Sequence, residues 1–404
     1  MQTTFSLFPR QVECCDWLSS TRMIVLINAI SIKEGGSLVV LQNLLLHMIK
    51  LDDSIRWHVA AHGSIADLEV FSHPRVTGHF FSNIGHSPLH VQWWYNVTLP
   101  GLVRHIGADL LFSQTNYLPL RKLACPTLLL EQHAGHFSDI FDQRMQASLS
   151  TISRWIWRAK RRWIIRSLQQ ASAVTVQTAA LADAIAGAAG IERRGIHVIP
   201  HGCGLARTIS PLRSCQENRP WHIGYITKFG VQKNFEVLIE AARILKQRGD
   251  IDFRLHLTLN PGLPECQSIL AKVEAVGIGD VVINHGELSQ DQVPGLYDQL
   301  DLFVFPSLCE SFGFPLLEAM AHSLPLLIAD VPGNREVAGS DAPRFSPYNA
   351  AELADKLVGL TDSERYVALS QAMRQRSERY NWFEAAQKTL RLVRGMVAEV
   401  SKES

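Results

Sequence analysis

The chain has 404 residues, with 47% hydrophobic residues, 19% charged residues and a formal net charge of +1. This balance is typical of a globular protein long enough for two domains, and it excludes a disordered chain. With so little net charge we expect no nucleic-acid partner. The seven cysteines are scattered and form no C-x-x-C pair. We therefore expect neither a structural zinc site nor a disulfide framework, and a reducing compartment fits best.

The amino-terminal segment has the pattern neither of a secretory signal nor of a membrane span. Arg10, Glu13 and Asp16 interrupt it, and no apolar run in the chain is long enough to cross a bilayer. We interpret residues 1–21 as an N-terminal extension. The expected location is cytoplasmic, either free or peripheral on the inner face of the membrane.

Short apolar runs alternate with amphipathic helical segments along the rest of the chain. The predicted strands lie near Met23–Asn28, Trp57–Ala61, Asp109–Phe112, Thr127–Glu131, Ala173–Gln177 and His197–Ile199, and then near His222–Ile226, Phe253–Leu259, Val281–Asn284, Leu302–Phe305 and Leu326–Ala329. Continuous apolar strands separated by helices, such as Leu38–Leu51, favour parallel sheets that are covered on both faces.

The stretch 203–220 divides the chain, because it is rich in turn-forming residues and has little helical or strand periodicity. We therefore predict an α/β protein of two Rossmann-like, doubly wound domains, residues 22–205 and 218–380. Residues 381–404 are predicted as a C-terminal helix that packs back toward the first domain. Ligands in such folds bind outside the carboxyl ends of the strands. Two facing domains therefore predict one central cleft.

The segment 305–321 carries the pattern with the most chemistry. A buried strand ends at its first residue, and a helix is predicted to begin with Pro315, where a missing N–H costs nothing. The N-terminus of such a helix offers free amides and a positive dipole to a phosphate, and Gly313 lets the backbone approach a ligand. Carboxylates accept paired hydrogen bonds from vicinal hydroxyls. Glu310 and Glu318 are therefore predicted to bind a sugar and a ribose on either side of one diphosphate.

Glu310 and Glu318, preceded by Pro-Ser and followed by Ala-Met-Ala, resemble the E-x7-E signature of the retaining GT-B glycosyltransferases of family GT4. The resemblance implies that Glu318 binds the nucleotide ribose, that Glu310 faces the donor sugar, and that the segment between them holds sugar and phosphate. The donor-binding residues that it implies there are Ser311, Phe312, Gly313, Pro315, Leu316 and Leu317. The alternative is a plain turn followed by an amphipathic helix with surface carboxylates.

A second match follows the first strand of the second half. Residues 224–234 resemble the family segment G-R-x4-K followed by G or N, whose two cations neutralise the leaving diphosphate. Lys233 and Asn234 fit this pattern, whereas Lys228 stands at the arginine position and Thr227 at the preceding glycine. Lysine keeps the charge of arginine but loses its bidentate geometry. The resemblance assigns both lysines to catalysis, and two solvated loop lysines are the alternative.

The pair Asp250 and Asp252 matches the D-x-D pattern with which many glycosyltransferases hold a divalent metal. It lies between a predicted helix and the start of the next strand, away from the expected cleft. We therefore predict metal-independent chemistry, in which lysines stabilise the charge that develops on the leaving group. No cofactor is expected besides a GDP- or UDP-sugar co-substrate.

The first half gives weaker signals. Gly35 and Gly36 follow the first strand, where the family has a glycine-rich loop near the diphosphate, and a plain strand–helix turn is the alternative. His133 ends a buried strand on the cleft side and resembles the family histidine that contacts the donor sugar. Ala134 stands where the family has aspartate, His136 is a rival candidate, and a purely structural histidine is the alternative.

Residues 154–166 form a basic segment rich in tryptophan. One interpretation is a helix that lies on an anionic membrane surface, as in relatives that act on lipid-linked acceptors. The other is an ordinary domain helix with its tryptophans inward and its arginines in water. The residues alone do not separate the two.

Together the motifs predict a retaining hexosyltransferase that moves a hexose, with mannose as one option, from a nucleotide-sugar to a glycan or lipid-linked acceptor in surface polysaccharide synthesis. Two alternatives stay open. One is another GT-B enzyme, such as a sugar-nucleotide epimerase or a phosphorylase, and the other is a non-catalytic nucleotide-sugar-binding protein. A nicotinamide dehydrogenase is disfavoured, because no G-x-G-x-x-G follows the first strand.

Overall fold

The structure is a computed structural model that describes residues 23–82, 84, 87–205, 211–215 and 219–403. The predicted N-terminal extension, residues 1–21, lies outside these ranges. Within them, strands and helices alternate in two halves, each built on its own sheet.

In the first half, each strand is followed by a helix or a short connection. The strands and longer helices are β1 (Met23–Ala29), α1 (Gly35–Leu51), β2 (Ile55–His62), β3 (Val76–Phe81), α2 (Pro88–Trp93), α3 (Leu99–Ile106), β4 (Leu110–Ser113), β5 (Thr127–Leu130), α4 (Asp139–Ser148), α5 (Thr151–Gln170), β6 (Ala173–Val176), α6 (Ala179–Ala189) and β7 (Ile196–Val198). Short 3₁₀ helices cover Gly63–Ile65, Glu69–Ser72, Ala134–Phe137 and Arg193–Gly195, and a π-helical turn covers Trp94–Thr98.

The first sheet is parallel and has the order β3-β2-β1-β4-β5-β6-β7. Val25 on the central β1 pairs with Trp57 on β2 and with Leu110 on β4. These three side chains are fully or almost fully buried, because helices cover both faces of the sheet. The direction of strand order reverses between β1 and β4, and such a switch point opens a crevice at the carboxyl ends of the strands.

The second half repeats this plan and ends in three consecutive helices. Its elements are β8 (Trp221–Tyr225), α7 (Phe235–Arg248), β9 (Phe253–Leu257), α8 (Pro264–Ala275), β10 (Val282–Asn284), α9 (Val293–Gln299), β11 (Leu302–Phe305), α10 (Phe314–Ala321), β12 (Leu326–Ala329), α11 (Pro332–Ala338), β13 (Arg344–Phe345), α12 (Ala350–Gly359), α13 (Ser363–Ser377) and α14 (Trp382–Glu403). The strands are again parallel, in the order β10-β9-β8-β11-β12-β13. The switch point lies between β8 and β11, so the loops that follow these two strands meet there.

The last helix, α14, returns to the first domain. Trp382, Leu390 and Val393 share one buried apolar cluster with Val40 and other residues of α1. The indole Nε1 of Trp382 donates a 2.8 Å hydrogen bond to the carbonyl of Cys203. This bond joins the start of α14, where the chain returns to the first domain, to the segment where the chain first leaves that domain.

The prediction of two parallel α/β domains is confirmed, and every predicted strand overlaps an observed one. Two strands were not predicted. In β3 only Val76 is buried, because this strand lies at the edge of the sheet, so its apolar pattern is weak. Strand β13 has only two residues, Arg344 and Phe345. None of the helices in the described ranges combines the length and the apolar character that crossing a bilayer requires.

Candidate active site

A cleft of about 950 Å³ lies between the carboxyl ends of the two sheets. Its first-domain wall contains residues 31, 32, 34–39, 114–116, 132 and 133, and residue 205 lies at the junction. Its second-domain wall contains residues 226–228, 233, 258, 287–290, 293, 310–315 and 318. Both switch points therefore open into the same space, which is where ligands bind in such sheets.

The loop between β11 and α10 makes a sharp turn at Gly313. This residue has φ +82° and ψ 66°, in the left-handed region that a residue with a Cβ avoids, and it caps the N-terminus of α10. The helix begins at Phe314, one residue earlier than predicted, and Pro315 occupies its first turn. Glu310 precedes this turn and Glu318 lies one turn inside the helix. Both line the cleft.

Glu310 forms an ion pair with Lys233, which comes from the loop between β8 and α7. Lys233 Nζ lies 2.5 Å from Glu310 Oε1, and the two side chains are only 12% and 15% exposed. The hydroxyl of Ser307 donates to the same carboxylate oxygen at 2.5 Å. A largely desolvated pair is oriented much more firmly than an exposed one. The two sequence motifs therefore meet at one point of the cleft.

Asn234, next to Lys233, holds the backbone in an unusual conformation. Its φ is +55° and its ψ is 43°, so it is one of the few non-glycine residues of the described chain in the left-handed region. Asparagine tolerates this region better than most residues. Its side-chain Nδ2 donates to the carbonyls of Pro347 at 2.7 Å and Pro306 at 3.3 Å. This explains why the pattern asks for glycine or asparagine after the lysine.

Lys228 lies at the mouth of the cleft between two carboxylates that the sequence did not predict. Its Nζ is 2.9 Å from Glu287 Oε1 on the second domain and 3.1 Å from Glu34 Oε2 on the first. The hydrogen bond to Glu287 is the largest of the effects that raise the pKa of Lys228, so the lysine stays charged. Because its side chain is 57% exposed, it remains able to exchange partners.

Glu318 lies in a much drier environment than Lys228. The hydroxyl of Tyr297 donates to Glu318 Oε2 at 3.1 Å. Burial raises the pKa of Glu318 to about 7, although this hydrogen bond acts in the opposite direction. Near neutral pH its carboxyl group is therefore divided between the protonated and the ionised form.

The structure separates the two rival histidines. His133 lies at the cleft, and its backbone N–H donates to Glu131 Oε1 at 2.8 Å. Its ring is exposed to the cleft, yet the surrounding walls displace enough bulk water to lower its pKa. His136 is buried and stacks on Trp157 with 4.4 Å between the ring centroids. Desolvation lowers the pKa of His136 to about 3, and it does not line the cleft.

The glycine-rich turn of the first domain approaches the β11–α10 loop of the second. Gly35 and Gly36 open α1 and line the cleft. A Cβ on Gly36 would come within 3.1 Å of the Phe314 ring, so a larger residue at position 36 would require this ring to shift by a few tenths of an ångström.

The remaining predicted donor-binding residues divide into two groups. Ser311, Phe312, Gly313 and Pro315 line the cleft. Leu316 and Leu317 do not, because their side chains are fully buried in the core of the second domain. Their amides donate to the carbonyl of Gly313 at 3.0 and 3.3 Å. Only the backbone amides of these two leucines, in the first turn of α10, are therefore available for the predicted contact.

The D-x-D pair lies at the amino-terminal ends of the strands of the second sheet, opposite the end that faces the cleft. Asp250 and Asp252 precede β9, and each forms an ion pair with an arginine, at 2.6 Å to Arg248 and 3.1 Å to Arg254. Across the part of the chain that the structure describes, no group of three or more histidine, cysteine or acidic side chains could hold a metal ion. The pair is thus a surface feature away from the cleft.

Direct contacts join the domains beside the β11–α10 loop. The hydroxyl of Thr178 donates to the carbonyl of Ser311 at 3.1 Å. The carboxylate of Glu336 accepts hydrogen bonds from the amides of Ala179 and Ala180 at 2.7 and 2.8 Å. A carboxylate at a helix N-terminus is favourable, so Glu336 caps α6 from the neighbouring domain. No motif in the sequence indicated these contacts.

Residues 214–380 match the family model described as Glycosyl transferases group 1. The chain is 30% identical over 157 residues to the serotype-specific mannosyltransferase WbdA of Escherichia coli, which covers 38% of the chain and 19% of WbdA. It is 28% identical over 234 residues to the MMP alpha-(1->4)-mannosyltransferase of Mycolicibacterium hassiacum, and this alignment covers 56% of the chain and 55% of that enzyme. The chain thus spans about a fifth of the first relative and about half of the second.

Solved structures share the arrangement of both domains. Sucrose-phosphate synthase from Thermosynechococcus elongatus superimposes with a TM-score of 0.71 at 16% identity, covering 94% of this chain and 100% of that one. Anabaena HepE in complex with UDP and glucose gives a TM-score of 0.65 at 16% identity, and the superposition covers 92% of this chain and 100% of HepE. Its two facing parallel-sheet domains give the chain the GT-B fold, and its residues 214–380 are similar to the glycosyl transferases group 1 family.

Proposed function

We propose that this protein is a retaining glycosyltransferase that binds a nucleotide-sugar in the cleft and transfers its hexose to a hydroxyl of another molecule. One observation carries the proposal: the Lys233–Glu310 pair and Glu318 flank the N-terminus of α10 within one cleft. A cation, a helix N-terminus and two carboxylates are what a diphosphate with a sugar at each end requires.

In this proposal the second domain supplies the charge stabilisation. Lys233, Lys228 and the N-terminus of α10 stabilise the negative charge that develops on the leaving diphosphate. Glu310 orients the sugar and Glu318 accepts hydrogen bonds from the ribose hydroxyls. Since the lysines supply the positive charge, we expect transfer without a metal ion.

The first domain contributes His133 to the sugar and receives the acceptor. The bond from the anomeric carbon to the diphosphate breaks, and the acceptor oxygen forms its bond to that carbon on the face that the diphosphate leaves. A phosphate oxygen of the leaving group takes the acceptor proton. This course retains the configuration at the anomeric carbon.

The relatives guide the choice of substrates. WbdA and the enzyme of Mycolicibacterium hassiacum are named mannosyltransferases, and HepE was solved with UDP and glucose. We therefore propose GDP-mannose or a UDP-hexose as donor. The proposed acceptor is a glycan or a lipid-linked glycan in surface polysaccharide synthesis.

We further propose that α5 brings the first domain to an anionic membrane surface on the cytoplasmic side. Ile152 and Trp155 are 74% and 62% exposed on this helix, among several arginines. Exposed apolar side chains next to basic ones favour the interface of an anionic bilayer. Trp157 and Trp163 instead face the protein, where their Nε1 atoms donate to Asp142 Oδ1 at 2.8 Å and to the Leu118 carbonyl at 2.9 Å.

The membrane proposal is tested by co-sedimentation with vesicles. Trp155→Ser should reduce binding to vesicles with an anionic lipid, while neutral vesicles bind neither protein. Trp157→Phe, which keeps the inward packing, serves as the matched control. Equal sedimentation of the parent and Trp155→Ser would contradict the proposal.

The proposed activity is tested in two steps. First, nucleoside diphosphates and their sugars are screened for an increase in melting temperature, because a ligand of the native state stabilises it. Then a labelled form of the best donor is incubated with glycan acceptors, and the product and its anomeric configuration are determined. A retained glycoside supports the proposal. An epimer, a sugar phosphate or an inverted glycoside contradicts it, and binding without turnover indicates a binding protein.

A further inference from the structure

The loop that presents Lys233 is contacted from the first domain by Arg144. Arg144 Nη1 donates to the carbonyl of Val231 at 3.0 Å, and Nη2 donates to Asn234 Oδ1 at 3.3 Å. Nη1 also lies 3.6 Å from Glu236 Oε2, in the first turn of α7. The guanidinium therefore contacts the loop on both sides of the lysine. Arginine is suited to this, because its planar fork can donate to two acceptors at once.

The contact with Asn234 reaches the most constrained residue of the loop. The Nδ2 of Asn234 already donates to Pro306 and Pro347 within the second domain, and its Oδ1 accepts from Arg144. Pro306 precedes Ser307, whose hydroxyl donates to Glu310. A displacement of Asn234 would therefore move both members of the Lys233–Glu310 pair.

The helix that carries Arg144 packs against His133 of the first-domain wall and against α5. Its helix α4 presents Phe141 to the His133 ring, edge to face at 5.5 Å between centroids. On the same helix, Asp142 Oδ1 accepts a hydrogen bond from Trp157 Nε1 of α5. The guanidinium thus reaches the Lys233 loop only when the two domains approach each other as they do here.

We infer that Arg144 is a positioning residue that fixes the Lys233 loop when the domains meet, so that the first domain completes the leaving-group site of the second. The inference rests on the proposed function. It predicts that Arg144 affects turnover more than donor binding, since misplacing a stabilising group by about 1 Å can cost a hundredfold in rate. A role only in holding the domains together would instead make Arg144 equivalent to Glu336, which joins them at α6.

The test compares Arg144→Ala and Arg144→Lys with two controls. Glu336→Gln weakens a different cross-domain contact, and Arg243→Ala removes a charge from the outer side of α7, where Arg243 pairs with Glu240. Steady-state kinetics gives kcat and the donor KM of each variant. Calorimetry gives its affinity for GDP and UDP. Melting temperatures verify folding.

We expect Arg144→Ala to lower kcat by at least about tenfold while nucleotide affinity stays within about threefold of the parent. Arg144→Lys should recover only part of the loss, because an ammonium cannot bridge both acceptors. Arg243→Ala should match the parent, and Glu336→Gln should lose less kcat than Arg144→Ala. Arg144→Ala with parental kinetics, or an equal loss in Glu336→Gln, overturns the inference.

A double substitution tests the path through Asn234. Asn234→Gly keeps the left-handed backbone but removes the Oδ1 acceptor. The loss of kcat in the double variant Arg144→Ala, Asn234→Gly should therefore be much smaller than the product of the two separate losses. A loss equal to that product overturns the inference. A parent without any transfer contradicts the proposed function and this inference together. A parent that transfers normally with Arg144→Ala unaffected contradicts the inference alone.

Discussion

The two walls of the cleft are built in different ways. The second-domain wall concentrates charge in short contiguous segments, with Lys228 and Lys233 after β8 and Glu310 and Glu318 around the start of α10. The first-domain wall draws mostly uncharged groups from separate strands, such as the residues that follow β1, β4 and β5. The family match covers only the second domain. If the second-domain wall binds the donor diphosphate as proposed, its local chemistry is fixed, whereas the first-domain wall can vary with the acceptor.

The ion pairs of the cleft also differ in how strongly they are shielded from solvent. Lys233 and Glu310 are largely buried within the second domain, while Lys228 and Glu34, which bridge the domains, are 57% and 76% exposed. Removing one member of a buried pair costs several kcal/mol, whereas an exposed pair contributes about 0–1 kcal/mol. We therefore expect the effects of substitution to decrease from the buried Lys233–Glu310 pair toward the mouth of the cleft.

The largest effect is expected at the buried pair. Lys233→Ala and Glu310→Ala should each lower the transfer rate by at least about a hundredfold, as the loss of a preorganised electrostatic group does in other enzymes. Rates are measured on purified variants whose circular dichroism matches the parent. Lys246→Ala, on the exposed end of α7, should keep the parental rate. Activity near the parent level in either site variant would remove that residue from the mechanism.

The junction between the walls gives the next effect, on stability. His201 is 2% exposed between Trp382 and Phe314, and desolvation lowers its pKa from 6.5 to about 3. The unfolded chain takes up a proton below pH 6.5 and the folded one does not, so stability falls as the pH decreases from 6.5 toward 3. At pH 5 this residue should cost about 2 kcal/mol relative to pH 8.

Chemical denaturation at pH 5 and pH 8 checks this expectation. His201→Phe keeps an aromatic ring in the stack but cannot be protonated, so it should lose that part of the pH dependence. His90→Phe on the exposed α2 is the matched control. If His201→Phe were destabilised by acid as strongly as the parent, His201 would not contribute to the acid sensitivity of the fold.

Glu318 should give the pH dependence of donor binding. Because its pKa is raised to about 7, its ionised fraction increases from pH 6 to pH 8. The ionised carboxylate accepts hydrogen bonds from both ribose hydroxyls, so nucleotide affinity should rise by up to about tenfold over this range. Calorimetric titration of Glu318→Gln should show weaker, pH-independent binding. An equal pH dependence in both proteins would assign it to another group.

The difference between the walls also explains how much the sequence could predict. The continuous apolar runs of the central strands predicted two parallel sheets, and Gly313 with Pro315 predicted the turn and the helix N-terminus. The resemblance brought Lys233 and Glu310 to one site. All of these signals are local, since each depends on residues adjacent in the chain.

What the sequence missed depends on contacts between distant residues. Arg144 and Asn234 are 90 positions apart, and Thr178 and Ser311 are 133 apart. Nothing near Arg144 distinguishes it from other surface arginines, because its role is determined by how the domains meet. The left-handed backbone at Asn234 did leave a signal, since a position that takes glycine or asparagine indicates a positive φ.

The smallest effect is expected at the mouth of the cleft, where the two walls share Lys228. An incoming diphosphate must compete there with Glu34 and Glu287 for the same ammonium group. Glu34→Gln removes the first-domain competitor, so the donor KM should fall, but by no more than about fivefold, because an exposed pair contributes about 1 kcal/mol at most. The decrease should disappear at high salt, which already screens the exposed pair.

Glu287→Gln is the matched substitution on the second domain, where the Glu287 carboxylate also accepts a hydrogen bond from Asn260 at 2.9 Å. A higher donor KM in Glu34→Gln would mean that Glu34 assists the lysine, and the contrast between a charged second-domain wall and a mostly uncharged first-domain wall would then no longer hold at the mouth.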